Sequence, residues 1–114
     1  MKMLKFTSDA ALQAFGGLAN EHRLAIFRLL VEAGPEGLPA GDIADKLGLP
    51  ASSLSFHLAH LTRASLIGQR RESRSLIYSA NFDTMNGLIA FMTENCCGGA
   101  SCASVSSPKK RKAS

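Results

Sequence analysis

The stretch Ser52-Ser53-Leu54-Ser55-Phe56-His57-Leu58-Ala59-His60-Leu61-Thr62-Arg63-Ala64 decides how the rest of the chain is read. Leu54, Leu58 and Leu61 recur at the spacing of one helical face, so that face must be buried. At about 100° per residue, Ser52, Phe56, Ala59, His60 and Arg63 project from the opposite side. His57 falls about 60° from the leucine stripe, which fits either a half-buried structural role or a contact made from the helix flank. A helix that hides leucines and offers small, polar or basic groups is suited to meeting another surface.

Working backwards, Leu38 through Leu47 predicts a short helix with Pro39 near its first turn and Gly48 closing it. Before it, Asn20 reads as the cap of a helix carrying Leu24, Phe27, Leu30 and Val31 at helical spacing, ended by Gly34-Pro35. Arg23, Arg28 and Glu32 lie on its other faces. A first helix is expected after Ser8-Asp9, with Leu12, Phe15 and Leu18 on one face. Working forwards, two short strands, 66–71 and 75–80, join through Glu72-Ser73-Arg74. Asn81 or Asp83 then caps a last helix with Met85, Leu88, Ile89 and Met92 on one stripe and Phe91 nearby. From Gly98 onward the chain turns to Gly, Ser, Ala and Lys without periodicity, as in a flexible tail.

A short helix, a Gly-containing turn, a second helix and a β-hairpin, in that order, make a winged helix-turn-helix. The expected fold is therefore mainly α with a small β-hairpin. Residues 1–95 are expected to form this domain, and 96–114 a cysteine-containing flexible basic tail. The chain has 114 residues, room for one domain, and a formal net charge of +4. Residues 1–95 hold nine Lys/Arg and nine Asp/Glu, so the whole excess sits in Lys109, Lys110, Arg111 and Lys112. Bulk charge is thus no argument for nucleic acid. Local charge is: Arg63, Arg70, Arg71 and Arg74 face only Glu72 within residues 50–80.

These features together resemble the ArsR/SmtB winged-helix repressors of bacteria. The resemblance rests on Leu18-Ala19-Asn20-Glu21-His22-Arg23-Leu24-Ala25-Ile26, on Leu54 through Leu61, and on Arg70-Arg71-Glu72-Ser73-Arg74 with Tyr78. It implies a homodimer built from the first and last helices, recognition of a two-fold operator in double-stranded DNA, and ligand binding that loosens DNA. By match to the family motif, Ser52, Ser53, Ser55, Phe56, His57 and His60 lie on or beside the recognition surface, with Arg71 and Arg74 in the wing. Serine stands at the wing tip where the family usually has glycine.

Cys96, Cys97 and Cys102 all follow the last helix. Three thiolates without interspersed His or carboxylate are a soft, sulfur-only set. Zinc normally completes four ligands, whereas arsenite and antimonite take three sulfurs in a trigonal pyramid. Gly98-Gly99 lets the backbone turn back towards such an ion. The trio is similar to that of family members whose arsenite site lies at the end of the dimerisation helix. Methylated arsenicals, which need two thiols, and oxidation of the thiols are alternatives.

A thiol enzyme such as an arsenate reductase, or a metallochaperone, would use the same cysteines. No phosphate-cradling loop precedes a helix here, so the expectation is a regulator and not an enzyme. Nothing resembles a transmembrane span or a signal peptide, so a cytoplasmic protein with reduced thiols and no membrane partner is expected. Pro108-Lys109-Lys110-Arg111-Lys112 resembles a nuclear localisation signal, but in the bacterial family it is a basic tail.

Overall fold

The computed structural model describes residues 6–99, so Cys102 and the basic run Lys109 to Lys112 lie outside the described residues. Helices α1 (Ser8–Leu18) and α2 (Glu21–Ala33) lead through a 3-10 turn, Gly34–Glu36, to the short strand β1 (Leu38–Pro39). Helices α3 (Ala40–Leu47) and α4 (Ala51–Arg63) come next, then strands β2 (Ile67–Glu72) and β3 (Ser75–Ala80), and helix α5 (Phe82–Thr93). A second 3-10 turn, Cys96–Gly99, follows it. No helix among the described residues is long and apolar enough to cross a membrane.

The core is aliphatic, with Ile26, Leu30, Ile43, Leu61 and Leu66 as its largest fully buried side chains. The leucine stripe of α4 is buried as expected, at Leu54, Leu58 and Leu61. Asn20 caps α2 by accepting from the backbone N–H groups of His22 and Arg23, and Asn81 caps α5 by accepting from that of Thr84. Gly48 closes α3 in the left-handed region, and Leu49-Pro50 carries the chain into α4.

Four details depart from the sequence reading. The first helix is capped by Thr7, whose side chain accepts from the Ala10 N–H, and not by Ser8-Asp9. Its inner face is Ala11, Ala14 and Gly17, because α1 lies so close to the body that a Cβ on Gly17 would come 2.8 Å from Leu66. Leu12 and Phe15 therefore point outwards, and Leu12 is 68% exposed. In α2, Ile26 and Arg23 turn inwards beside Phe27 and Leu30, whereas Leu24 is exposed.

The third helix starts at Ala40, not Leu38. Leu38 and Pro39 instead pair antiparallel with Tyr78 and Ile77, making the hairpin a three-stranded sheet of order β1-β3-β2. Gly37 makes this possible, since its φ of 71° and its closeness to the Tyr78 carbonyl leave no place for a Cβ. The fourth departure is in α5, where Leu88 and Thr84 face inwards but Ile89 and Met92 are 57% and 60% exposed. Phe6 and Phe91 lie together with ring centroids 6.2 Å apart, tying the start of the chain to α5.

Candidate nucleic-acid interface

Helix α4 presents Ser52, Ser55, Phe56, Ala59 and Arg63 to solvent, while Ser53 and His60 are half-buried at the margins of that face. His57 does not join them. It is 9% exposed, its ring lies 5.6 Å from that of His22, and its Nδ1 is buried without a hydrogen-bond partner. Of the two roles open to His57 from sequence, the structure gives it the inward one.

Burial, and then the charges of Arg23, His22 and His60, hold the His57 pKa below its ordinary value of 6.5. His60 is lowered too, first by burial and then by Arg23 and Arg63. Both imidazoles therefore resist protonation more than a free histidine does, and the fixed positive charge of this helix is Arg63 alone.

The hairpin supplies the other cations, and it separates them. Residues along a strand alternate between its faces, so Arg70 and Arg71 point in opposite directions. Arg70 donates through Nη2 to the Glu36 carbonyl at 2.8 Å and through Nη1 to the Pro35 carbonyl at 3.4 Å. Its Nε meets Glu72 Oε2 at 2.8 Å, the sole ion pair among the described residues. Arg70 thus straps the hairpin to the turn after α2 and is not available as a wing cation. Arg71 and Arg74 are exposed and carry no ion pair among the described residues. Strands β2 and β3 pair as far as Glu72 with Ser75, leaving Ser73-Arg74 as a two-residue turn in which Ser73 adopts φ 57°. Serine thus takes up a left-handed conformation at the wing tip.

Arg23 was not legible as a structural residue. It is 9% exposed with no carboxylate beside it, and its Nε donates to the Gly17 carbonyl at 2.7 Å. Its Nη2 reaches the Gly16 carbonyl at 3.4 Å. Both carbonyls lie in the last turn of α1, where the helix dipole favours a cation, and that of Gly16 also accepts from the Ala19 N–H. The signal available in sequence was Asn20 itself: a cap there places the residue three further on over the end of the preceding helix.

Of the cysteines, the structure brings together Cys96 and Cys97, whose Sγ atoms are 3.4 Å apart. Cys97 and Gly98 both take left-handed backbone conformations, in a turn closed by the Gly98 N–H donating to the Asn95 carbonyl. Among the described residues no group of three His, Cys, Asp or Glu side chains is placed to hold a metal ion. Two thiols alone can still fit part of a pyramidal thiolate site. Bonds of about 2.3 Å, as in zinc thiolates, opened to roughly a right angle put two sulfurs about 3.3 Å apart.

A buried leucine stripe under an exposed helix face, beside a hairpin with two exposed arginines, defines a winged helix-turn-helix DNA-binding domain. The comparisons agree and narrow it. Residues 18–70 match the family model described as a helix-turn-helix domain. The HTH-type transcriptional regulator YceK of Bacillus subtilis is 33% identical over 84 residues, covering 74% of this chain and 83% of that protein. The structure of HlyU from Vibrio cholerae superposes with a TM-score of 0.64 at 29% identity, covering 82% of this chain and 99% of that one. An ArsR-like transcriptional regulator from Rhodococcus sp. RHA1 shares the fold, with a TM-score of 0.68 at 22% identity over 80% of this chain and 82% of that one. The chain belongs to the helix-turn-helix family of transcriptional regulators, in the winged form of that fold.

Replacing Arg71 and Arg74 together by alanine is expected to weaken binding to every duplex. The log–log salt dependence should flatten by roughly one unit for each phosphate that is no longer neutralised. Anisotropy titrations at several salt concentrations measure this. An unchanged slope would place the hairpin away from DNA.

Proposed function

We propose that this protein is a transcriptional repressor that binds operator DNA as a homodimer and lets go when arsenite or antimonite is bound by Cys96, Cys97 and Cys102. The observation that carries the DNA half is the exposed face of α4 beside the unpaired Arg71 and Arg74. The dimer rests on Leu12 and Phe15 of α1 and Ile89 and Met92 of α5, large apolar groups left in solvent on two helices that pack against each other. A protein of this size does not ordinarily leave such faces uncovered. Two copies related by a two-fold axis would set their recognition helices about 34 Å apart, one turn of DNA.

The effector half rests on the thiol pair. Its 3.4 Å spacing suits two corners of a trigonal pyramid, and Cys102, five residues further on, would supply the third. The pair follows α5 directly, so gathering three sulfurs would pull the tail against the helix proposed to hold the dimer together. A coupling of only ~1–3 kcal/mol between that event and DNA binding suffices for substantial release.

The test is release of a labelled operator, selected from random duplexes, as arsenite is added. Wild type should dissociate. Single Cys→Ser variants at 96, 97 and 102 should bind operator normally yet respond weakly, since oxygen is a poor ligand for a soft ion. Retained response in Cys102→Ser alone would shift the effector to a two-thiol ligand such as a methylated arsenical. Release of the triple variant by arsenite would end the proposal for these residues.

A further inference from the structure

The outward face of α4 is short of the groups that read bases by paired hydrogen bonds. Arg and Lys recognise guanine, and Asn and Gln recognise adenine, by two bonds at once. Over its first three turns this face offers Ser52, Ser55, Phe56 and Ala59 instead, and its arginine comes only at Arg63, the last residue of the helix. Serine hydroxyls both donate and accept, so they tolerate several bases. What stands out is Phe56, which is 64% exposed and lies almost opposite the buried leucine stripe.

Its ring is not loose. It meets the buried His57 ring in an edge-on arrangement with centroids 5.7 Å apart, and His57 in turn rests on His22 at 5.6 Å. A chain of three rings thus props one large apolar group outward at the sixth residue of the helix, close to the end that a recognition helix points into the major groove. In that groove the one apolar feature of a base edge is the 5-methyl group of thymine.

The geometry points to Phe56 as a specificity residue that reads a thymine methyl group in each half of the operator, so that discrimination by α4 is mainly apolar. This rests on the DNA-binding reading above, which it refines from duplex DNA in general to a thymine at a fixed place in each half-site. Ala59, one turn further along the same face, extends the apolar surface, and the unpaired Arg71 and Arg74 hold the phosphates.

The experiment is a selection of duplexes by wild-type protein, followed by replacement of each thymine in the selected operator by deoxyuridine, which removes only the methyl group. At one symmetric position, affinity should fall about fourfold per methyl and about fifteenfold when both half-sites are changed, as expected for one buried carbon each. Phe56→Ala should bind the thymine operator more weakly and be indifferent to that substitution, whereas Phe56→Leu should keep part of the difference. Phe56 is exposed, so both variants should fold, and circular dichroism confirms it. Wild type that binds its operator but ignores every uridine substitution overturns the methyl reading while leaving DNA binding intact. Equal sensitivity in wild type and Phe56→Ala assigns the effect to DNA shape and also overturns it. Loss of self-association in Phe56→Ala, with DNA affinity per dimer unchanged, assigns the ring to a protein contact instead. Failure to select any duplex would overturn the DNA reading itself, and this inference with it.

Discussion

In the operator-binding homodimer proposed above, Ile89→Asp is expected to leave each protomer folded but to separate the two copies and abolish tight operator binding. Ile89 is more than half exposed on α5, so within one protomer the change costs little. In a two-fold dimer the same face meets itself, and the substitution appears twice. Burying an unpaired carboxylate carries an effective penalty of several kcal/mol per ion. Dimer dissociation should therefore rise at least a hundredfold, about 2.7 kcal/mol. A monomer can engage one half-site only, so operator affinity should collapse towards that for random DNA. Sedimentation and anisotropy on the same samples check both halves, with Ile89→Leu as the control that keeps the apolar surface. An Ile89→Asp protein that remains dimeric would show that α5 does not form the interface.

Arg23→Ala should be the most destabilising single change away from the aliphatic core. The Gly17 carbonyl accepts from Arg23 Nε within the protein, and removing the guanidinium strands a buried acceptor. The long side chain also fills space between α1 and α2, so a cavity is left behind. Together these should cost about 2–4 kcal/mol and lower Tm by roughly 10 °C or more. Arg23→Lys should recover only part, because one ammonium cannot reproduce the planar fork that addresses two successive carbonyls. Loss of Arg23 also removes a positive charge that disfavours protonation of His57, a small offset in the other direction. Thermal unfolding at equal protein concentration makes the comparison, since the proposed self-association would make Tm depend on concentration. A shift within a degree or two would mean that water replaces the guanidinium at no cost.

The sequence by itself determined the order of elements and most of their ends, because those are decided locally. Asn20 and Asn81 bond backbone groups two or three residues away, Gly48 supplies a left-handed residue where α3 stops, and Leu54, Leu58 and Leu61 share a face by helical geometry alone. The exposed recognition face followed from the same arithmetic, with Phe56 and Arg63 opposite the leucines. What only the tertiary structure decided is which of several eligible faces turns inward and which cations stay unpaired. Periodicity marks Leu12, Phe15, Ile89 and Met92 as apolar, but α1 packs inwards through Ala11, Ala14 and Gly17 because small residues allow closer approach. The larger ones are left outside.

Arg23 and Arg70 read as surface charge in the sequence. Both are claimed by backbone carbonyls, those of Gly16 and Gly17 for Arg23 and those of Pro35 and Glu36 for Arg70. Gly16 and Gly17 end the helix before Arg23, and Pro35 and Glu36 lie in a turn more than thirty positions from Arg70. Leu38-Pro39 became a strand because β3 offered it an edge at Ile77 and Tyr78, a partner some forty residues away. Such long-range hydrogen bonds depend on how the elements are brought together, and no local spacing encodes them.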